Sequence, residues 1–184
     1  MGLKELSFQQ LGKLGETAVA LELMKRGYDV VNLNDSIKNY QHADLLCASS
    51  ISGKTTLIQV KTGSTMNIQC GLTSTPDGVI DDLDGKVVCP WVFVHATPQG
   101  KDDYSFEFYV LTRDEVLNLI KSSNDWYANQ WSRKLKHDIR VGVDVRWLDA
   151  KGSSDSPGLH PAYTSSLTVS AKNMWDKIWR EMTK

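Results

Sequence analysis

His42-Ala43-Asp44-Leu45-Leu46 and, after a polar stretch containing Ser52-Gly53, Leu57-Ile58-Gln59-Val60-Lys61 are the two runs whose reading decides the fold. Each is short and rich in branched and apolar residues, so Ala43 to Ala48 and Thr55 to Thr62 read as strands joined across Ser49 to Lys54, where Ser52-Gly53 suits a turn. Side chains alternate along a strand, which puts Leu57, Gln59 and Lys61 on one face and Ile58 and Val60 on the other. Two polar groups, Gln59 and Lys61, can therefore act together, with Asp44 at the start of the neighbouring strand.

Upstream, residues from about Ser7 to Arg26 read as a helix, with Leu11, Leu14, Ala18 and Leu21 at helical spacing and Gly27 as its C-terminal stop. A second stripe, Gly12, Glu16, Val19, Ala20 and Leu23, gives Glu16 small and apolar companions, an unexpected position for a carboxylate that serves only solubility. Tyr28 to Leu33 reads as another strand. Downstream, Gly63 to Lys86 is polar and turn-rich and reads as an irregular excursion. Its acidic run Asp81, Asp82 and Asp84 lacks the alternating ligands and closing Glu of a calcium loop.

Trp91 to Ala96 and Phe106 to Leu111 complete a mixed sheet of about five strands. Thr112 and Glu115 form a capping-box pattern opening a helix with Val116, Leu117, Leu119 and Ile120. Ile139 to Leu148 alternates weakly as a further strand, Lys151 to Ser166 is rich in Ser, Gly and Pro, and Ser170 to Thr183 reads as a terminal amphipathic helix. The expected architecture is one α/β domain over residues 1–184, with a core at about 7–122 and a C-terminal elaboration at about 123–184.

Composition limits the function. With 184 residues, 41% hydrophobic and 23% charged, the chain can bury a sizeable core. The apolar run Val87 to Val94 is far short of the roughly 20 residues a membrane span needs, and Pro90 interrupts it. The start shows no secretory signal pattern, so a cytoplasmic location is expected. Cys47, Cys70 and Cys89 are odd in number and widely spaced, and His42, His95, His137 and His160 lack zinc-site spacing; reduced structural thiols and no zinc are expected. A net charge of -1 argues against coating nucleic acid by bulk charge. A local surplus exists between residues 121 and 147, where Lys121, Arg133, Lys134, Lys136, Arg140 and Arg146 face Asp125, Asp138 and Asp144. Trp126, Tyr127 and Trp131 lie among them; helical core packing is the first explanation for these rings, as for Trp175 and Trp179 at i and i+4, and a nucleic-acid contact surface of stacking rings and cations the second.

Gly15-Glu16 through Lys25-Arg26-Gly27-Tyr28, then His42 to Leu46, then Leu57 to Lys61, resembles the core of the PD-(D/E)XK nuclease superfamily, nearest its Holliday-junction-resolvase-like and Mrr-like branches. The resemblance covers about the first third of the chain. It implies a restriction-endonuclease-like α/β/α sandwich and metal-dependent endonuclease activity on DNA. It also implies a Mg²⁺ or Mn²⁺ cofactor and a possible homodimer, since one centre cuts one strand. Asp44 would be the central metal ligand, Glu16 a direct or water-mediated one, Gln59 a ligand through its side-chain carbonyl and Val60 through its backbone carbonyl. Lys61 would orient or help deprotonate the attacking water. Phosphodiester hydrolysis needs such groups because charge builds on the transferring phosphoryl centre and water must be made nucleophilic.

Two positions depart from the pattern: Ala43 stands where the family has Pro, and Gln59 stands where it has an acidic residue, removing one negative charge. Lys13 and His42 are candidates for contact with a phosphate. Taken singly, Asp44 could cap a turn and Lys61 could be a solvated strand residue; their joint placement favours the nuclease. The alternatives are a catalytically weak or inactive nucleic-acid-binding module of the same fold, or a structural or protein-interaction domain in which Glu16 and Lys61 form an ion pair.

Overall fold

A computed structural model describes residues 6–36, 40, 42–100, 103–130, 137–149 and 165–184. The first helix, α1 (Phe8–Lys25), starts where Ser7 and Gln10 satisfy each other's backbone donors, and stops at Gly27, whose φ of 82° suits a residue without a side chain. It is followed by β1 (Tyr28–Asn32), the one-turn α2 (Leu33–Ser36), β2 (Leu45–Ser49) and β3 (Thr55–Gly63). β1, β2 and β3 run antiparallel in series, and the β2–β3 turn places Gly53 at φ 67°. β5 (Trp91–Pro98) then lies parallel to β3, and β6 (Tyr104–Leu111) closes the sheet antiparallel to β5. The result is the expected five-stranded mixed sheet, with the strand order β1-β2-β3-β5-β6.

Each face of this sheet is buried. On one, Leu45, Cys47, Ile58, Val60, Val92, Val94 and Val110 pack beneath Val19 and Leu23 of α1 and Trp175, Ile178 and Met182 at α6 (Asp176–Met182). On the other, Trp91, Phe93, Tyr109 and Leu111 pack beneath Val116, Leu119 and Ile120 of α4 (Arg113–Gln130). That is an α/β/α sandwich, and the predicted split of Ile58 and Val60 from Leu57 is found, with Leu57 packed against the second cluster. The Thr112–Glu115 capping box is also formed: Glu115 Oε2 accepts from the Thr112 amide at 2.9 Å and Thr112 Oγ1 from the Glu115 amide at 3.3 Å.

The structure corrects the expected face of α1. Its buried line is Leu11, Gly15, Val19 and Leu23, whereas Leu21 is exposed. Gly15 conceals this line in the sequence because it has no apolar side chain to mark it. A Cβ built there would fall onto Thr62 Oγ1 and lie 2.8 Å from Thr62 Cγ2, so the backbone of α1 rests directly on the Thr62 side chain of β3 at this point.

The second correction concerns Gly63 to Lys86. It contains a regular strand, β4 (Asn67–Ser74), with Ile68, Cys70, Leu72 and Ser74 buried in strict alternation, and the short helix α3 (Leu83–Lys86) capped by Asp82. β4 pairs antiparallel with β7 (Ile139–Asp144) as a separate two-stranded ribbon, whose inner side chains join the core beneath α4. The weak alternation of Ile139 to Leu148 ends at Asp144, which caps the one-turn α5 (Val145–Leu148). The terminal helix is also shorter than expected, because Ala171 and Asn173 first pair with Val110 and Phe108 along the outer edge of β6. Among the described residues no helix is long and apolar enough to cross a membrane. The stretch Lys151 to Thr164 lies outside the described residues.

Candidate functional site

Asp44 immediately precedes β2, where the incoming chain joins the ladder with β3. Its amide donates to the Ile58 carbonyl at 2.9 Å, and its carbonyl accepts from the Leu33 amide at 2.8 Å, so the backbone is fixed on both sides. The side chain then turns back to the partner strand: Oδ2 accepts from the Val60 amide at 2.7 Å and from Gln59 Nε2, while Oδ1 accepts from Asn34 Nδ2 at 3.0 Å. The N–H and C=O of one strand residue point to the same side. Val60 therefore directs its carbonyl towards the side from which β2 departs, where the Asp44 carboxylate lies.

Gln59 is nearly buried, and Lys61, two residues further on the same face, is half-buried with Nζ 5.2 Å from the centre of the Trp91 ring. Among the described residues no carboxylate pairs with Lys61. Gly71 of β4 lies beside this ammonium: a Cβ built there would be in ordinary contact with Nζ, at 3.5 Å. Gly71 sits at φ 73° in an irregularity of the β4–β7 ladder between Gln69 and Leu72, so the bulge shapes the surroundings of Lys61.

Glu16 is reached through a neighbour. Its Oε2 accepts from Asn32 Nδ2 at 2.9 Å, and Asn32 is the β1 partner of Leu45, the residue after Asp44. Lys13 approaches the same oxygen at 3.6 Å and pairs with Asp35 at 2.6 Å, whose hydrogen bond holds the ammonium above its ordinary pKa. Glu16 is thus partnered by Asn32 and Lys13, and the ion pair with Lys61 expected of a purely structural domain is not formed. The candidate phosphate contact Lys13 is half-exposed and already engaged by Asp35. His42 is exposed, edge-on to Tyr40 at 5.9 Å between ring centres.

The site's own chemistry suits a hard cation. Asp44, Glu16, the Gln59 side-chain carbonyl and the Val60 backbone carbonyl are all oxygen donors, the type Mg²⁺ and Mn²⁺ prefer. Among the described residues no three His, Cys, Asp or Glu side chains are grouped to hold a metal ion, so the two neutral oxygens are essential to any such centre. Gln59 offers its amide nitrogen to Asp44, and ligation through Oε1 requires this amide to turn. Cys89 lies behind the site with Sγ 3.6 Å from the His42 carbonyl; burial, with the Asp44 charge adding, pushes its thiol up to about 12, so it offers no thiolate near neutrality.

Sequence reading missed Asn32 and Asn34, which orient the two carboxylates, and Gly71. The asparagines carry no signal of their own, because their roles arise only when β1 is laid against α1 and α2 beside the start of β2. Of the basic stretch, Lys121 and Arg140 are exposed and Arg146 pairs with Asp144 at 2.6 Å, while Trp131, Arg133, Lys134 and Lys136 lie outside the described residues. Trp126 packs against the core, Trp175 is buried, and Trp179, contrary to its expected core role, is 42% exposed.

No family model matches the chain, and no curated protein matches it. Among solved structures the chain is similar to a bacterial homing endonuclease, with 16% sequence identity, a TM-score of 0.38, and coverage of 77% of this chain and 76% of that one. At that level of likeness no residue role passes from one to the other.

Proposed function

We propose that the protein is a PD-(D/E)XK-type nuclease that hydrolyses phosphodiester bonds in DNA with the help of Mg²⁺ or Mn²⁺. The observation that carries this reading is the bonding of Asp44 to Gln59 and Val60 where β2 and β3 part, two residues before Lys61 on the same strand. Asp44, Gln59, Val60 and Glu16 hold the cation. When bound, it supplies charge neutralisation at the phosphate and a water made nucleophilic. Lys61 orients the attacking water and offsets negative charge developing on the phosphoryl oxygens. Asn34 and Asn32 keep the two carboxylates aimed, so less ordering is needed when substrate arrives. Cutting both strands of a duplex takes two such centres, which two copies of the chain would supply.

The test is cleavage of supercoiled plasmid and of a labelled four-way junction with Mg²⁺, Mn²⁺ or EDTA, beside Asp44→Ala and Lys61→Ala. Metal-dependent cutting lost in both variants is the expected result. No cutting under any condition by the folded wild type overturns hydrolysis.

One observation favours a second reading, a module that binds nucleic acid without cutting it. Both Asp44 oxygens already accept hydrogen bonds from protein donors, and Gln59 lacks the charge that would draw a cation between them. Such a module would hold DNA equally well with EDTA and would show no turnover with Mn²⁺.

A further inference from the structure

We infer that the outer face of the β4–β7 ribbon reads base edges in the major groove of duplex DNA, an inference that rests on the nucleic-acid reading above. Every second residue of β4 is exposed: Asn67, Gln69, Gly71 and Thr73. Across the ladder they face β7, where Gln69 pairs with Gly142 and Thr73 with the exposed Arg140. This face thus presents two carboxamides, a hydroxyl and a guanidinium. The carboxylate within the ladder, Asp144 opposite Asn67, is buried and neutralised by Arg146, whose Nε and Nη2 donate to it at 2.8 and 2.6 Å.

The chemistry of this row matches base edges better than phosphates. Asn and Gln present a donor and an acceptor together, as the adenine edge requires, and Arg can reach two acceptors on guanine. A row meant for phosphates would carry several cations, and among the described residues of these two strands the exposed one is Arg140. Gly142 keeps the row accessible: a Cβ there would fall onto Asn67 Oδ1 and lie 3.0 Å from Gln69 Nε2, displacing the two amides that hydrogen-bond each other at 2.8 Å.

Shape selects the form of nucleic acid. A two-stranded ribbon fits the wide major groove of B-form DNA, and the deep, narrow one of A-form RNA excludes it. The face also lacks aromatic side chains, so it offers no platform on which single-stranded bases could stack. The ribbon meets the candidate centre at Gly71, which lies beside Lys61 Nζ. A groove held on Asn67, Gln69 and Arg140 therefore brings its backbone to the strand that carries Gln59 and Lys61.

The experiment combines selection from a randomised duplex pool with plasmid nicking in Mn²⁺, for the wild type, an Asn67→Ala/Gln69→Ala variant and an Arg140→Ala variant. All three side chains are exposed, and thermal melts confirm folding. The expected result is a sequence preference in the wild type. The variants should lose roughly 10- to 100-fold in affinity for the preferred duplex, while affinity for unrelated duplex and nicking at saturating protein are retained. Variants that select and bind the same sequences as the wild type overturn the ribbon's role and leave the hydrolase reading standing. A wild type that neither binds duplex nor nicks plasmid overturns both.

Discussion

Gly15 and Thr62 are in such close apposition that a Cβ on Gly15 would overlap the Thr62 hydroxyl and lie 2.9 Å from Thr62 Cβ. This contact sets the height of α1 above β3 one residue before Glu16 and one residue after Lys61, so the packing that holds the helix also places two candidate site residues. Gly15→Ala should cost about 1–3 kcal/mol through overpacking, although alanine is the better helix former. Thr62 Oγ1 is buried without a hydrogen-bond partner, so Thr62→Ala sacrifices no such bond and vacates the space. The double variant should recover much of the loss. Urea melts of the four proteins check this, and additive losses would show that the contact is not the cause.

The proposed cation centre makes the neutral side chain of Gln59 a test of how charge sets affinity. Gln59→Glu adds a carboxylate beside Asp44, and the two like charges should destabilise the cation-free protein while raising its affinity for Mn²⁺. Asp44→Asn should weaken Mn²⁺ binding at least tenfold. Calorimetric titration with Mn²⁺ alone reads both effects without reference to cleavage. Unchanged binding in both variants would mean that these residues do not form the centre.

The strands that build the site were legible because their alternation is marked by strong apolar residues: Ile58 and Val60 against Gln59 and Lys61 leave one assignment of faces. β4 alternates just as strictly, yet its buried positions include Cys70 and Ser74 and its exposed ones include Gly71, so its composition is that of a loop. Only the inner face of β7 and the underside of α4 give Ile68 and Leu72 a reason to be buried. The same holds for Asn173, which takes φ 57° and ends the pairing with β6 before α6 begins; in sequence it is one more polar residue in a helical pattern. Asp44, Gln59 and Lys61 could be singled out as candidates from strand alternation together with the resemblance to nuclease cores. Asn32, Asn34 and Gly71 could not, since each acts on a residue of another element.

All three thiols are buried, and burial pushes each up to about 12. A thiol whose folded pKa lies above its unfolded one contributes stability that is complete below the unfolded value of about 8.5 and is lost as pH rises towards the folded value. Stability should therefore fall between about pH 9 and 12. At pH 8 the native protein should show almost no reaction with a thiol-specific disulfide reagent, and three equivalents should react in denaturant. Rapid native labelling of Cys89 would indicate that the backing of the site opens readily.

Lys177 of α6 is only 5% exposed, and its Nζ donates to Glu115 Oε1 and Oε2 at 2.9 and 2.8 Å. The same Glu115 caps α4 through the Thr112 amide, so one carboxylate joins the two helices that flank opposite faces of the sheet. Removing the cation strands a partly buried charge; a fully buried pair would lose roughly 3–5 kcal/mol, and the one-third exposure of Glu115 reduces this to about 2 kcal/mol. Lys177→Met keeps the stem's apolar contacts and should cost less than Lys177→Ala. With Glu115→Gln as background, the further cost of Lys177→Met should shrink, because the uncompensated charge is already gone. Chemical denaturation of the single and double variants measures that coupling, and a Lys177→Met cost that is the same in both backgrounds would assign the effect to side-chain packing alone.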